Sequence, residues 1–409
     1  MNTTVHAQAA AGALDIARAL RNPADVAASV SERAAHTLCY GLAGTALLHA
    51  CLAETEPGAA KTAAAHWDAA ARMLGKSPPD GIHTGPGALA ASLIIGTGYL
   101  PSHDPHQALL SRATAWLSAR ATALARHHHQ RAARAEATPW AVYDAIKGLT
   151  GIGRVLLTAH NRGHRADAEP GLHAALTALT HLILTSIGTR PGWWLPATLH
   201  PPTVRVPPSG AATTGLAHGI AGPLALLATA HQAGHTVPGQ TDAIHTAAQW
   251  LLTWQNPQNR WPPHISGNSL DIGLQETTVP IAGRTTAWCY GIPGIAAALA
   301  SAGRALDHPA LNRTAADAMN GLAAWPPEDW DTEGAALCHG SSGILQCALR
   351  LLCHTLMGPA AHTTLTDATS SDSPGFLTGR TGIALALADL SGLLPTSPTG
   401  TWDCLLLLS

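Results

Sequence analysis

The chain has 409 residues, of which 46% are hydrophobic and only 12% charged, with a formal net charge of −2; this fills a sizeable core and leaves no basic surface for nucleic acid. Apolar runs are broken by Gly, Pro, Thr, His or charge before the ~18 residues that a membrane span needs, and Met1 to Gly12 lacks a basic segment followed by an apolar one, so neither membrane insertion nor a secretory signal is expected. Seven cysteines, an odd number without framework spacing, suit a reducing cytoplasm.

Alanine and leucine dominate, while phenylalanine and β-branched runs are scarce, which favours helix over sheet. In chain order, one glycine signature recurs seven times: Leu38–Gly44, Ile82–Gly87, Ile146–Gly151, Ala217–Gly222, Trp288–Gly294, Leu337–Gly343 and Leu377–Gly382. Six occurrences read Gly-x-x-Gly; in the second, Gly85-Pro86-Gly87, the second glycine is displaced. Each runs into an apolar stretch, as a helix N-terminus would, with glycines permitting unusual φ values and close backbone approach. The intervening segments hold a further helix each, with amphipathic examples at Ala63–Leu74, Ala108–Arg126 and Asp242–Trp254. Two stretches interrupt this rhythm, Arg190–Thr214, rich in proline, and Asn256–Arg284. They read as long loops, and since each directly precedes a glycine motif, the fourth and the fifth, both are expected to overhang one rim of the molecule.

Soft metal ligands gather at the fifth and sixth motifs. Cys289 precedes Gly291 by two positions, and Cys338 and His339 precede Gly340 by two and one. Equivalent positions in adjacent repeats face one another, and two thiolates with an imidazole form a set that zinc accepts, leaving a fourth position open. Helix N-termini would add partial positive charge beside the thiolates. The spacing alone is a weak zinc signal, and two small buried cysteines are its plainer reading.

Trp288-Cys-Tyr-Gly-Ile-Pro-Gly294 and Leu337-Cys-His-Gly340 resemble the two zinc-binding motifs of the LanC lanthipeptide cyclases. Gly215-Leu-Ala-His-Gly-Ile-Ala-Gly222, Tyr143-Asp-Ala-Ile-Lys-Gly-Leu-Thr-Gly151 and the ending Trp402-Asp-Cys-Leu-Leu-Leu407 are similar to further segments of that family, in order along the whole chain. The resemblance implies one all-α domain over residues 1–409, an α,α-toroid of seven inner and seven outer helices. It implies Zn2+ on Cys289, Cys338 and His339, His218 as acid/base, Asp144 as its support, and Tyr290 following the zinc cysteine. The family's arginine stands four residues before that cysteine, where this chain has Thr285. Arg284, one residue further back, is the candidate for its role, stabilising an enolate oxygen. The implied reaction is addition of a peptide cysteine to dehydroalanine or dehydrobutyrine, giving a lanthionine or methyllanthionine thioether. The implied partners are a dehydrated precursor peptide, a separate dehydratase (the chain has no room for an attached one) and a transporter.

Other residues are weighed against this set. Lys147 could hold Asp144 or sit solvated at the rim. Cys39, in Cys39-Tyr40-Gly41, and His83 occupy comparable places but belong to remote repeats. Cys347 and Cys353 lie too far into their helix and read as core, and His127–His129 reads as a polar helix face. Trp193 and Trp194 serve either peptide contact or loop packing. Rival readings are a LanC-like protein that adds glutathione or another thiol, and a zinc-stabilised peptide-binding scaffold, which would want four protein ligands. A protein prenyltransferase would need a basic diphosphate pocket, and a toroidal glycosidase would need paired carboxylates; the motifs supply neither.

Overall fold

The computed structural model describes residues 3–75, 77–78, 80–100, 107–273, 284–368, 371–395 and 401–409. Among the described residues, fourteen helices of ten residues or more make up the body. In chain order they are α1 (Thr3–Ala19), α2 (Leu42–Cys51), α3 (Ala59–Met73), α4 (Gly85–Gly96), α5 (Gln107–Ala132), α6 (Leu149–Asn161) and α7 (Arg165–Leu184). There follow α8 (Ala221–Gln232), α9 (Gln240–Thr253), α10 (Ile292–Ala305), α11 (Pro309–Ala323), α12 (Ser341–Arg350), α13 (His354–Asp367) and α14 (Arg380–Ser391).

The even-numbered helices pack successively against one another, and α14 returns to α2, closing an inner ring. Each odd-numbered helix lies against an inner one, α1 against α14 and the others against the inner helix just before them. The molecule is the expected α,α-toroid. Burial follows from this layering. Every residue of α2 from Leu42 to Cys51 is buried, because an inner helix has protein on all sides. Outer helix α3 buries Ala59, Thr62, Ala63, His66, Trp67 and Ala70, a single stripe at helical spacing. No helix among the described residues is long and apolar enough to cross a membrane.

The recurring glycine has a steric cause. A Cβ on the second glycine of each motif would meet the backbone oxygen six residues earlier, at 2.6 Å for Gly44, 1.7 Å for Gly87, 2.1 Å for Gly151 and 2.5 Å for Gly222. The distance is 2.1 Å for Gly294, Gly343 and Gly382. Each inner helix thus begins by folding its first turn onto the carbonyl of its own lead-in loop. Two expectations change here. In four motifs the first glycine caps its helix with extended backbone, at Gly148 (φ −100), Gly291 (φ −99), Gly340 (φ −118) and Gly379 (φ −140), so close approach and not unusual φ selects them. In the second motif the second glycine is not displaced: Gly87 makes the contact in register, Thr84 replaces the first glycine as cap, and the added Gly85 takes φ +60.

The two interrupting stretches are not plain loops. A hairpin pairs β1 (Ser186–Ile187) with β2 (Arg190–Pro191). A three-stranded antiparallel sheet joins β3 (Trp194–Leu195), β4 (Ala211–Thr213) and β5 (His264–Ser266), with β4 central. Residues 274–283 of the second stretch lie outside the described residues. The C-terminal segment enters the middle of the ring. Trp288 Nε1–H donates to Leu406 O (3.0 Å), Arg154 donates twice to Ser409 O (2.8 and 2.6 Å), and the Arg350 guanidinium pairs with Asp403 and Asp389.

Candidate metal and catalytic site

The loops leading into the inner helices form one rim, stitched by backbone hydrogen bonds. Leu38 N–H donates to His83 O (3.1 Å), Ile82 N–H to Ile146 O (3.2 Å), Ala145 N–H to Ala217 O (3.0 Å) and Ala217 N–H to Cys289 O (3.0 Å). Cys338 N–H donates to Leu377 O (2.9 Å) and Phe376 N–H to Leu38 O (3.1 Å). Between the fifth and sixth motifs no such bond occurs among the described residues. A carboxylate bridges that junction instead: Asp331 accepts the amides of Thr285 (2.6 Å) and Thr286 (2.9 Å).

Into this gap project Cys289, Cys338 and His339, with their ligand atoms all within 4.8 Å of one another. Cys338 Sγ lies 3.4 Å from His339 Nε2. A tetrahedral zinc with Zn–S of about 2.3 Å and Zn–N of about 2.0 Å separates such a pair by about 3.5 Å. The donor set therefore fits the ion. Cys289 is only 1% exposed, and burial, then the adjoining Cys338, push its thiol well above the ordinary range. Two sulfurs side by side can both be thiolates only beside a cation.

The other side of the His339 ring meets acid. Its Nδ1 lies 3.5 Å from Glu333 Oε2, and Glu333 N–H donates to His339 O (2.8 Å). A carboxylate behind a ligating imidazole fixes its orientation and raises its basicity. Arg284, in the left-handed region at φ +57, places Nη1 2.5 Å from His339 Nε2, on the ligand side of the ring, and donates from Nη2 to Glu333 Oε1 (3.3 Å); a metal on that lone pair would displace the first contact and leave the guanidinium beside the ion, on Glu333. The guanidinium thus reaches the cluster from its displaced position in the sequence.

His218 and Asp144 meet at the neighbouring rim positions. His218 Nδ1–H donates to Asp144 Oδ2 (2.6 Å). Asp144 Oδ1 accepts the amides of Ile146 (3.1 Å), Lys147 (2.7 Å) and Gly148 (3.0 Å), so this buried carboxylate is held by the lead-in turn of α6. Lys147 contributes its amide only, since its ammonium pairs with Asp80 (2.9 Å). Trp140 stacks on the His218 ring, with centroids 4.9 Å apart. His264 lies beyond Trp140 (6.2 Å), and His200 meets the Trp140 edge (5.1 Å). Both histidines come from the stretches expected to overhang the rim. Tyr290 completes the wall, 6.1 Å from His218 and 5.8 Å from His264. Burial, then the Cys289 charge, raise its hydroxyl above the ordinary range.

Cys39 stays outside the ligand group, its thiol pushed up by burial to about 12. His83 is buried with both ring nitrogens unpaired and held down to about 3 by burial. Cys347 and Cys353 are core. Trp193 is buried against Trp250, and Trp194 carries the Arg190 guanidinium on its face, so this pair serves loop packing. Of His127–His129, His127 and His129 lie exposed on the helix face, as expected, whereas His128 is 2% exposed and its ring gathers with those of His129 and His181, with one nitrogen of each within 4.8 Å of the others. Sequence reasoning missed Trp140, His264, Asp331 and Glu333. The last two lie in Glu328-Asp-Trp-Asp-Thr-Glu333, an acidic run just before the sixth motif that offered a signal.

Residues 32–406 match the family described as lanthionine synthetase C-like protein. Among solved structures, nisin cyclase is similar, with a TM-score of 0.75 over 96% of this chain and 98% of that chain, at 19% identity. No sequence among curated proteins matches this chain.

Proposed function

The chain belongs to the lanthionine synthetase C-like family, and from that premise we infer that it is a zinc-dependent cyclase acting on a dehydrated peptide. The observation that carries this reading is the open junction between the fifth and sixth motifs. There, two cysteines and a histidine converge where a backbone bond joins every other junction, with the His218–Asp144 pair on the same rim.

Zinc held by Cys289, Cys338 and His339 would lower the pKa of a peptide cysteine, supplying a thiolate near neutral pH. That sulfur forms a bond to the β-carbon of a dehydroalanine or dehydrobutyrine, the double bond shifts toward the carbonyl, and the α-carbon takes a proton. The thiol proton leaves to solvent, so the cyclised peptide is an isomer of its precursor. His218 supplies the α-proton from Nε2. Asp144, fixed by three amides, holds Nδ1–H and stabilises the charged ring before transfer. Trp140 holds the ring plane. Arg284 and Tyr290 stand where an enolate oxygen would need donors, and Arg284 can offer two from a rigid fork. Such a substrate must be made by a dehydration of serine or threonine, consistent with a separate dehydratase as partner.

The test is a peptide panel, each member carrying one dehydroalanine and one cysteine. Loss of alkylatable thiol at unchanged mass, abolished by a chelator and restored by zinc, is the expected result. Thiol addition in trans, seen as a mass gain with glutathione and no ring, would replace the cyclase reading. No reaction with either thiol source would remove it.

A further inference from the structure

We propose that the chain carries a second transition-metal site, built by His128, His129 and His181 on the outer ring and suited to a zinc-like divalent cation. The three side chains come from the last turns of two packed outer helices, α5 and α7. Their ring centroids form a near-equilateral triangle, with separations of 5.2, 5.1 and 5.1 Å. One nitrogen from each lies within 4.8 Å of the others.

Three features favour a cation over a plain hydrogen-bonded cluster. His128 Nδ1 is paired with Thr138 Oγ1 at 2.9 Å; a hydrogen placed there leaves the Nε2 lone pair facing His181 Nδ1, 3.0 Å away. That is the outer-shell arrangement that orients ligating imidazoles. Two nitrogens bound to one tetrahedral zinc sit about 3.3 Å apart, taking Zn–N as about 2.0 Å, so a few tenths of an ångström of opening admits the ion. Both helices end here, and their C-terminal carbonyls favour positive charge. The triad also opens on a recess of 330 Å³ that contains Glu136, which gives the ion a path and a fourth position for water.

Imidazole-only ligation suits zinc, copper or nickel and separates this site from the thiolate-rich rim. The ion would tie α5 to α7 and brace Thr138, two residues before the Trp140 that stacks on His218.

The rim site and this one are told apart by metal counting on the full chain. Metal-free protein titrated with zinc against a chromophoric chelator is expected to take two equivalents, and Cys338→Ala to keep one. His129→Ala, at an exposed position, and His181→Gln are each expected to lose one equivalent from the parent and to weaken the one left in Cys338→Ala at least 10-fold. Cobalt(II) bound to Cys338→Ala/Cys289→Ala should give a tetrahedral visible spectrum without thiolate charge-transfer absorption. A Cys338→Ala chain that takes up no zinc, or His129→Ala and His181→Gln chains that still bind two, would overturn the proposal. The count does not depend on cyclisation, so it stands or falls apart from the reading of the rim.

Discussion

The junction between the third and fourth motifs and that between the fifth and sixth use the same rim in opposite ways. At the former, Ala145 N–H bonds Ala217 O, and Asp144 is locked by three amides before it accepts His218. At the latter the backbone bond is replaced by Asp331, and the facing side chains are two cysteines and a histidine. A proton-transfer pair needs fixed geometry, which backbone hydrogen bonds provide cheaply. The proposed metal site needs ligand atoms to face one another across the seam, and here the seam parts. The comparison teaches that one repeated loop becomes rigid or open according to which groups bridge it.

The largest effect is expected at the open junction. Cys289→Ala or Cys338→Ala should lose the rim metal and drop cyclisation below ~10⁻³ of the parent, with faster amide exchange at the fifth and sixth motifs and none at the third and fourth. Retained thiolate-bound metal in both variants would erase the distinction between the junctions. His218→Ala should keep that metal yet cyclise ~10²–10⁴-fold more slowly. Asp144→Asn, whose amide oxygen can still accept the three N–H groups but whose NH2 then faces His218 Nδ1–H and forces the other tautomer, should slow cyclisation by a similar ~10²–10⁴-fold. Metal lost from His218→Ala would make it a ligand and merge the two roles.

Seam rigidity is tested by Gly294→Ala, whose Cβ would fall 2.1 Å from Trp288 O; unfolding should reveal a loss of ~2–4 kcal/mol. Gly321→Ala, within outer helix α11 and with nothing within 4 Å of the new Cβ, should instead stabilise by ~0.5–1 kcal/mol. Equal effects would detach the glycine signature from the rim. Arg284→Lys should slow turnover ~10-fold with metal content unchanged, because an ammonium lacks the planar fork; full activity would make Arg284 only a brace for His339 and Glu333.

The smallest effect concerns the cover over the dyad. Burial, then His200 and His218, hold His264 down to about 4. The unfolded chain binds that proton below ~6.5, so the stability from keeping the ring neutral is complete above ~6.5 and declines as pH falls toward 4, by at most ~1.4 kcal/mol per pH unit. Thermal midpoints across that window should flatten by this share in His264→Asn; an unchanged slope would mean that the sheet does not seal the rim.

The sequence by itself determined the toroid and the cluster of Cys289, Cys338 and His339. The reason is locality: each inner helix packs its first turn on a carbonyl six residues back, as Gly294 does on Trp288, and that contact leaves a glycine at a fixed offset every time. Cys289, Cys338 and His339 are legible because they hold set places relative to those glycines. Tertiary structure alone decided which junction parts, and it did so through Asp331, whose carboxylate reaches Thr285 and Thr286 across 46 and 45 positions of chain. It alone placed Arg284 against His339, since a left-handed residue redirects the loop. It also brought Trp140 and His264 over His218, and His181 to His128 across 53 positions. Those contacts join segments with no shared local pattern, so only the packing of one helix layer on the other sets them.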